Sequence, residues 1–155
     1  MNKYITKAND FYLKQLRQCQ SVRYFEHNQE FWITNGYVVH KINPKYMELN
    51  PFNIRQCTDD VKKGILDILK TDNMVVARDS GIIKKYGVTN MKAYIIDGID
   101  QLIWFNNNLI KLFPDYSTIY VTEPLSPAIV KRDDEVLGII LPVRAIETKD
   151  IKLFL

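Results

Sequence analysis

Thr118-Ile119-Tyr120-Val121, Ser126-Pro127-Ala128-Ile129-Val130-Lys131 and Gly138-Ile139-Ile140-Leu141-Pro142-Val143-Arg144 follow one another in the last third of this chain. Each run is rich in β-branched and aliphatic residues, which is the composition of a strand. The acidic triplet Asp133-Asp134-Glu135 between the last two reads as a hairpin turn, not as a metal site, because three carboxylates in sequence would need further oxygens converging from elsewhere. Just upstream, Asn106-Asn107-Asn108-Leu109-Ile110-Lys111-Leu112-Phe113-Pro114 has helical apolar spacing, with Lys111 as its only cation. A helix feeding a series of strands predicts an α+β domain.

The order and spacing of these segments resemble a single domain of the sliding clamp of bacterial DNA polymerase, the β-subunit ring that tethers the polymerase to DNA. In that likeness residues 106–114 correspond to the family's second helix, residues 118–121 and 126–131 to strands, and residues 138–144 to the terminal strand. The resemblance implies a DNA-clamp-like fold: two main helices packed on a curved, mostly antiparallel sheet, to which this chain adds a middle helix. Residues 1–147 would form the single clamp-like domain, with 43–90 a possible elaboration and 148–155 a C-terminal tail. Bacterial clamps string three such domains along one chain, whereas 155 residues suffice for one. A ring would therefore require a homo-oligomer of about six domains.

Working outward, residues 3–19 place Ile5, Ala8, Tyr12, Leu16 and Cys19 within an arc of roughly 80° on a helical wheel. Lys3, Lys7, Lys14 and Arg17 occupy a similar arc on the opposite side. An amphipathic helix follows, its apolar stripe turned inward and its cations turned to water. In the resembled family, helices of this kind line the hole of the ring and face the phosphate backbone, which makes Lys3, Lys7, Lys14, Arg17 and Lys111 the expected contacts to double-stranded DNA. An ordinary solvated face would look the same in sequence. Residues 22–27, 30–34 and 37–42 then read as three strands of a meander, with turns at Asn28-Gln29 and Asn35-Gly36.

Residues 43–90 depart from the clamp pattern. Thr58 is the expected N-cap of a helix with Val61, Ile65, Ile68 and Leu69 on its apolar side. Residues 74–77 and 91–96 are strand-like, and Gly81 and Gly87 bracket a basic segment containing Lys84 and Lys85. The region is either an elaboration of the sheet between the two clamp helices or an insertion carrying specificity.

Composition narrows the classes of function. With 21 basic and 18 acidic residues the net charge is only +3, so any nucleic-acid contact must depend on where the charges sit. Cys19 and Cys57 have no paired partner motif and read as reduced thiols. His27 and His40 lie in strand-like runs without a neighbouring nucleophile or acid, so both read as structural or surface histidines. Phosphate-binding, dinucleotide-binding, zincin and nucleophile-elbow motifs are all missing, which predicts a non-catalytic protein without cofactor or metal. The start shows no apolar run after its first charge and no stretch is long enough to span a bilayer, so a cytoplasmic protein is expected.

The ending Asp150-Ile151-Lys152-Leu153-Phe154-Leu155 is similar to the short peptide by which polymerases dock into the bacterial clamp, with Asp150 in place of the usual glutamine. By the same resemblance, Leu141, Pro142, Val143 and Arg144 would form one wall of the receiving pocket, and Ile151, Leu153 and Phe154 would be partner-binding residues. The expected function is thus a clamp-like accessory protein of DNA replication, phage or mobile-element encoded, that binds DNA through the basic helix face and polymerase or clamp proteins through its last strand. The alternative is a protein-interaction module that binds or inhibits a full clamp without encircling DNA.

Overall fold

The computed structural model describes residues 3–47 and 54–143. Three helices, α1 (Lys3–Arg17), α2 (Asp59–Leu69) and the one-turn α3 (Asn107–Ile110), accompany ten strands among those residues. The strands are β1 (Arg23–His27), β2 (Glu30–Thr34), β3 (Val38–Ile42), β4 (Arg55–Gln56), β5 (Val75–Tyr86), β6 (Thr89–Ile96), β7 (Leu102–Asn106), β8 (Thr118–Val121), β9 (Ala128–Arg132) and β10 (Glu135–Ile140). They form one sheet in the order β4-β1-β2-β3-β10-β9-β8-β5-β6-β7, antiparallel throughout except for the β1 and β4 pair. The α+β class and the mostly antiparallel sheet agree with the expectation from sequence.

Local chemistry accounts for the turns. Asn28 and Gln29 both take positive φ, +51° and +66°, the conformation that matches the twist of a two-residue hairpin. The Asn35 side-chain oxygen accepts from the amides of Tyr37 and Val38 and turns β2 into β3. Thr58 caps α2 by accepting from the Val61 amide at 3.3 Å, as the sequence indicates.

The two long helices cover opposite faces of the β1-β2-β3-β10 half. Phe31, Ile33, Val38, Ile42 and Ile140 belong to the core under α1, while Trp32, Val39 and Ile139 pack with Ile65 under α2. Buried on both faces, these strands lose the polar alternation of a one-sided sheet and become nearly continuous apolar runs. At the other side of the sheet, the Val143 amide donates to the Trp104 carbonyl at 2.7 Å, which brings the β7 edge back to the segment that follows β10.

Several expectations are corrected. The second clamp-type helix is a single turn, so the two main helices are α1 and the middle helix α2, and they do not share a face. Phe113, expected on that helix, is drawn into the core and stacks on His40 with ring centroids 4.6 Å apart. Cys19 lies beyond the end of α1, exposed and with φ +58°, so the buried face is set by Tyr4, Ala8, Asn9 and Tyr12. The terminal strand stops at Ile140, two residues before Pro142, which has no amide hydrogen to continue a ladder. The basic segment between Gly81 and Gly87 is strand: β5 runs through Lys84 and Lys85 to Tyr86, and β5 and β6 lie within the sheet order between β8 and β7.

No helix among the described residues is long and apolar enough to cross a membrane.

Candidate nucleic-acid interface

Every cation expected on α1 is exposed. Lys3, Lys7, Lys14 and Arg17 all face solvent, and none forms an ion pair among the described residues. At 1.5 Å per residue the row extends about 21 Å along the helix. Asp10, also exposed, falls in the same arc and reduces the local charge, a feature that a count of basic positions overlooks.

The rotation of α1 about its own axis is held by polar anchors on the buried side. Tyr4 donates its hydroxyl hydrogen to the Leu137 carbonyl at 3.0 Å. Asn9 donates to the carbonyls of Ile5 and Tyr46, both at 3.1 Å. The Tyr12 hydroxyl donates to the Ile33 carbonyl at 3.0 Å and lies 2.7 Å from His40 Nδ1. The Tyr12 hydroxyl thus bridges the Ile33 carbonyl and the His40 ring, tying α1 to both β2 and β3. Complete burial pushes the His40 pKa down to about 3, so the ring stays uncharged at neutral pH. His40 thus serves as a packed strut beneath α1, in line with its sequence reading.

Lys111 sits on the exposed C-terminal side of α3, at the rim of a cleft of about 470 Å³ between the β5 and β6 strands and the α3-to-β8 loop. Inside it Lys92 pairs with Asp79 at 2.8 Å. Burial opposes ionisation of Asp79, but the Lys92 ammonium and the Gly81 amide outweigh it and hold the carboxyl below its ordinary range. Burial, helped by Asp79, pushes the Tyr94 hydroxyl up to about 12. Ser117 lines the same cleft, and its buried Oγ has no partner among the described residues.

A second depression, of about 320 Å³, holds Lys3 and Lys7 against Phe113, Pro114, Asp115 and Tyr116. The two hollows share residues 113–115 as a common wall. The fold therefore gathers Lys3, Lys7, Lys92 and Lys111 around one loop, with Lys14 and Arg17 farther along α1. Lys92 was not marked by the sequence, since nothing local distinguishes a lysine in a strand that faces a cleft.

The expected partner-binding wall is split. Leu141, 38% exposed, lines a separate apolar groove of about 270 Å³ with Val61, Gly64, Ile65 and Ile68 of α2. Val143 is instead engaged with β7, and Pro142 stands between them half-buried. Arg144, Ile151, Leu153 and Phe154 lie outside the described residues. Among the described residues no cluster of three or more histidines, cysteines or acids could hold a metal ion.

No protein-family model, no curated protein and no solved structure matches this chain.

Proposed function

We propose that this protein is a non-catalytic DNA-binding accessory factor, of the clamp-like kind that its sequence resembles, contacting the duplex backbone through α1 without reading base sequence. The observation that carries the proposal is the row of Lys3, Lys7, Lys14 and Arg17, exposed, unpaired among the described residues and fixed outward by the buried anchors of α1. Such a row offers charge to phosphates without rearranging the backbone, because hydrogen bonds on the buried side already tie the helix to the sheet. Lys3 and Lys7 extend the surface to the loop beside Lys111.

Fluorescence anisotropy with a labelled duplex over a salt series tests the reading. Four phosphate contacts on α1 contribute roughly −3 to −4 to the slope of log affinity against log salt. Lys7→Glu with Lys14→Glu should weaken binding by at least tenfold while leaving the melting temperature unchanged. A wild-type chain that fails to bind duplex DNA at low salt sinks the proposal. Light scattering then distinguishes an encircling assembly of about six domains from a protein that binds DNA as a smaller species.

The alternative, a protein-interaction module, draws on the apolar groove between Leu141 and α2. Its signature is binding to a replication protein that is insensitive to salt and abolished by Leu141→Asp.

A further inference from the structure

β5 and β6 outrun the rest of the sheet. On one side β8 pairs with β5 only over Val75, Val76 and Ala77, and on the other β7 reaches β6 no farther than Met91. Among the described residues the two strands pair only with each other from Lys84 to Asn90, Lys84 opposite Met91, Lys85 opposite Asn90 and Tyr86 opposite Thr89. The result is a projecting two-stranded ribbon with Gly87 and Val88 at its turn.

A lone ribbon is marginal in water, and this one is fastened at its base. A bulge between Asp79 and Ile83 is closed by the Ser80 hydroxyl, which donates to the Ala93 carbonyl at 2.6 Å and accepts from the Ile82 amide at 3.0 Å. Asp79 accepts from the Gly81 amide and pairs with Lys92 on the neighbouring strand. On the outer face Tyr86 packs edge-on against Trp104, and the Lys84 ammonium lies over the same indole.

The surface of the ribbon is unusual in two respects. Residues 80–91 contain no acid, only Lys84 and Lys85. Alongside them, aliphatic side chains face water: Val88 is 94% exposed, Ile83 54% and Ile82 41%. Lysines on an unpaired edge are a common guard against aggregation, but that role does not account for a bare valine at the apex. Cations beside an aliphatic tip on a projecting ribbon suit a nucleic-acid duplex, whose phosphates border a groove that such a tip can enter. A lipid surface suits it less, because a single apical side chain offers little to insert.

The ribbon also adjoins the surface already described. Ile83 and Lys92 line the same cleft as Lys111, and residues 113–115 separate that cleft from the depression lined by Lys3 and Lys7. Strand alternation puts Lys85 on the face of Ile83. We infer that the β5 and β6 ribbon is a second DNA-contacting element, an arm that lays Lys84 and Lys85 on the backbone and Val88 in the groove. This rests on the DNA-binding reading above.

The test uses the full chain, a labelled duplex and two variants that alter exposed positions only. Lys84→Gln with Lys85→Gln should weaken binding about tenfold and flatten the salt slope by roughly two. Val88→Ser should weaken it severalfold at every salt concentration with the slope unchanged. If wild type binds and both variants match it, the arm is overturned and the α1 interface stands. Failure of wild type to bind overturns both. Unchanged DNA affinity with lost binding to anionic phosphatidylglycerol vesicles, or with a lower mass by light scattering, would assign the ribbon to a membrane or to a second copy and overturn the inference.

Discussion

The α1 half of the sheet and the β5 and β6 ribbon are built from similar residues and end in opposite states. β2 and β3 carry Phe31, Trp32, Ile33, Val38, Val39 and Ile42, all buried because a helix lies on each face. The ribbon carries Ile82, Ile83 and Val88, all exposed because no described element packs over these three side chains. Strand propensity is therefore separate from burial: the same aliphatic composition stabilises a core in one place and is left in water in the other.

Acid should widen the contrast most. The folded pKa of His40, about 3, lies below its ordinary value of 6.5, so between these values the unfolded chain takes up a proton that the folded one refuses. Stability present above pH 6.5 is thus lost as the pH falls through 3, by about 5 kcal/mol at 1.36 kcal/mol per unit. Urea denaturation at a series of pH values measures this, and His40→Phe, which keeps the stack on Phe113, should flatten the profile. An unchanged profile would mean that His40 is not the acid-labile group.

Gly138→Ala comes next. A Cβ there would overlap the Val39 carbonyl oxygen and press on the Phe113 ring, and the obstacle is largely backbone. A loss of about 3 kcal/mol is expected, at the upper end for overpacking. Gly81→Ala would meet no such obstacle, and only its φ of +78° opposes the substitution. A melting point for Gly138→Ala near that of wild type would show that β3 and β10 are less tightly apposed.

The smallest effect belongs to the ribbon. Lys84→Gln with Lys85→Gln should change global stability by less than about 0.5 kcal/mol, as exposed substitutions usually do. Amides of residues 84–90 should exchange far faster than those of β2 and β3, whose opening requires the two-faced core to come apart. Equal protection in the two regions would mean that the ribbon is covered in solution.

Much of the local architecture is legible in the chain. The Asn28-Gln29 hairpin, the Thr58 cap, the strand at residues 118–121 and the turn at Asp133 all depend on residues a few positions apart, and all stand where their side chains indicate. So does the outward row of α1. The failures share a cause. Residues 106–114 have helical spacing, yet the helix ends after one turn because Phe113 packs against Tyr4 and His40, which are distant in sequence. The pairing of the basic segment is not legible either, since Gly81 lies in a bulge stapled to β6 and only Gly87 stands at a turn.

By itself, the sequence determined the α+β class, most of the turns, the amphipathic helix and its four cations, because each follows from short-range sterics, capping and periodicity. Only the tertiary structure decided that α1 and α2 take opposite faces, that Lys92 and Lys111 join Lys3 and Lys7 around one loop, and that the Lys84 and Lys85 segment projects as a ribbon. Those arrangements arise from strand pairings between residues far apart in the chain, and pairing over such distances is chosen by the burial available to the whole sheet, not by any segment within it.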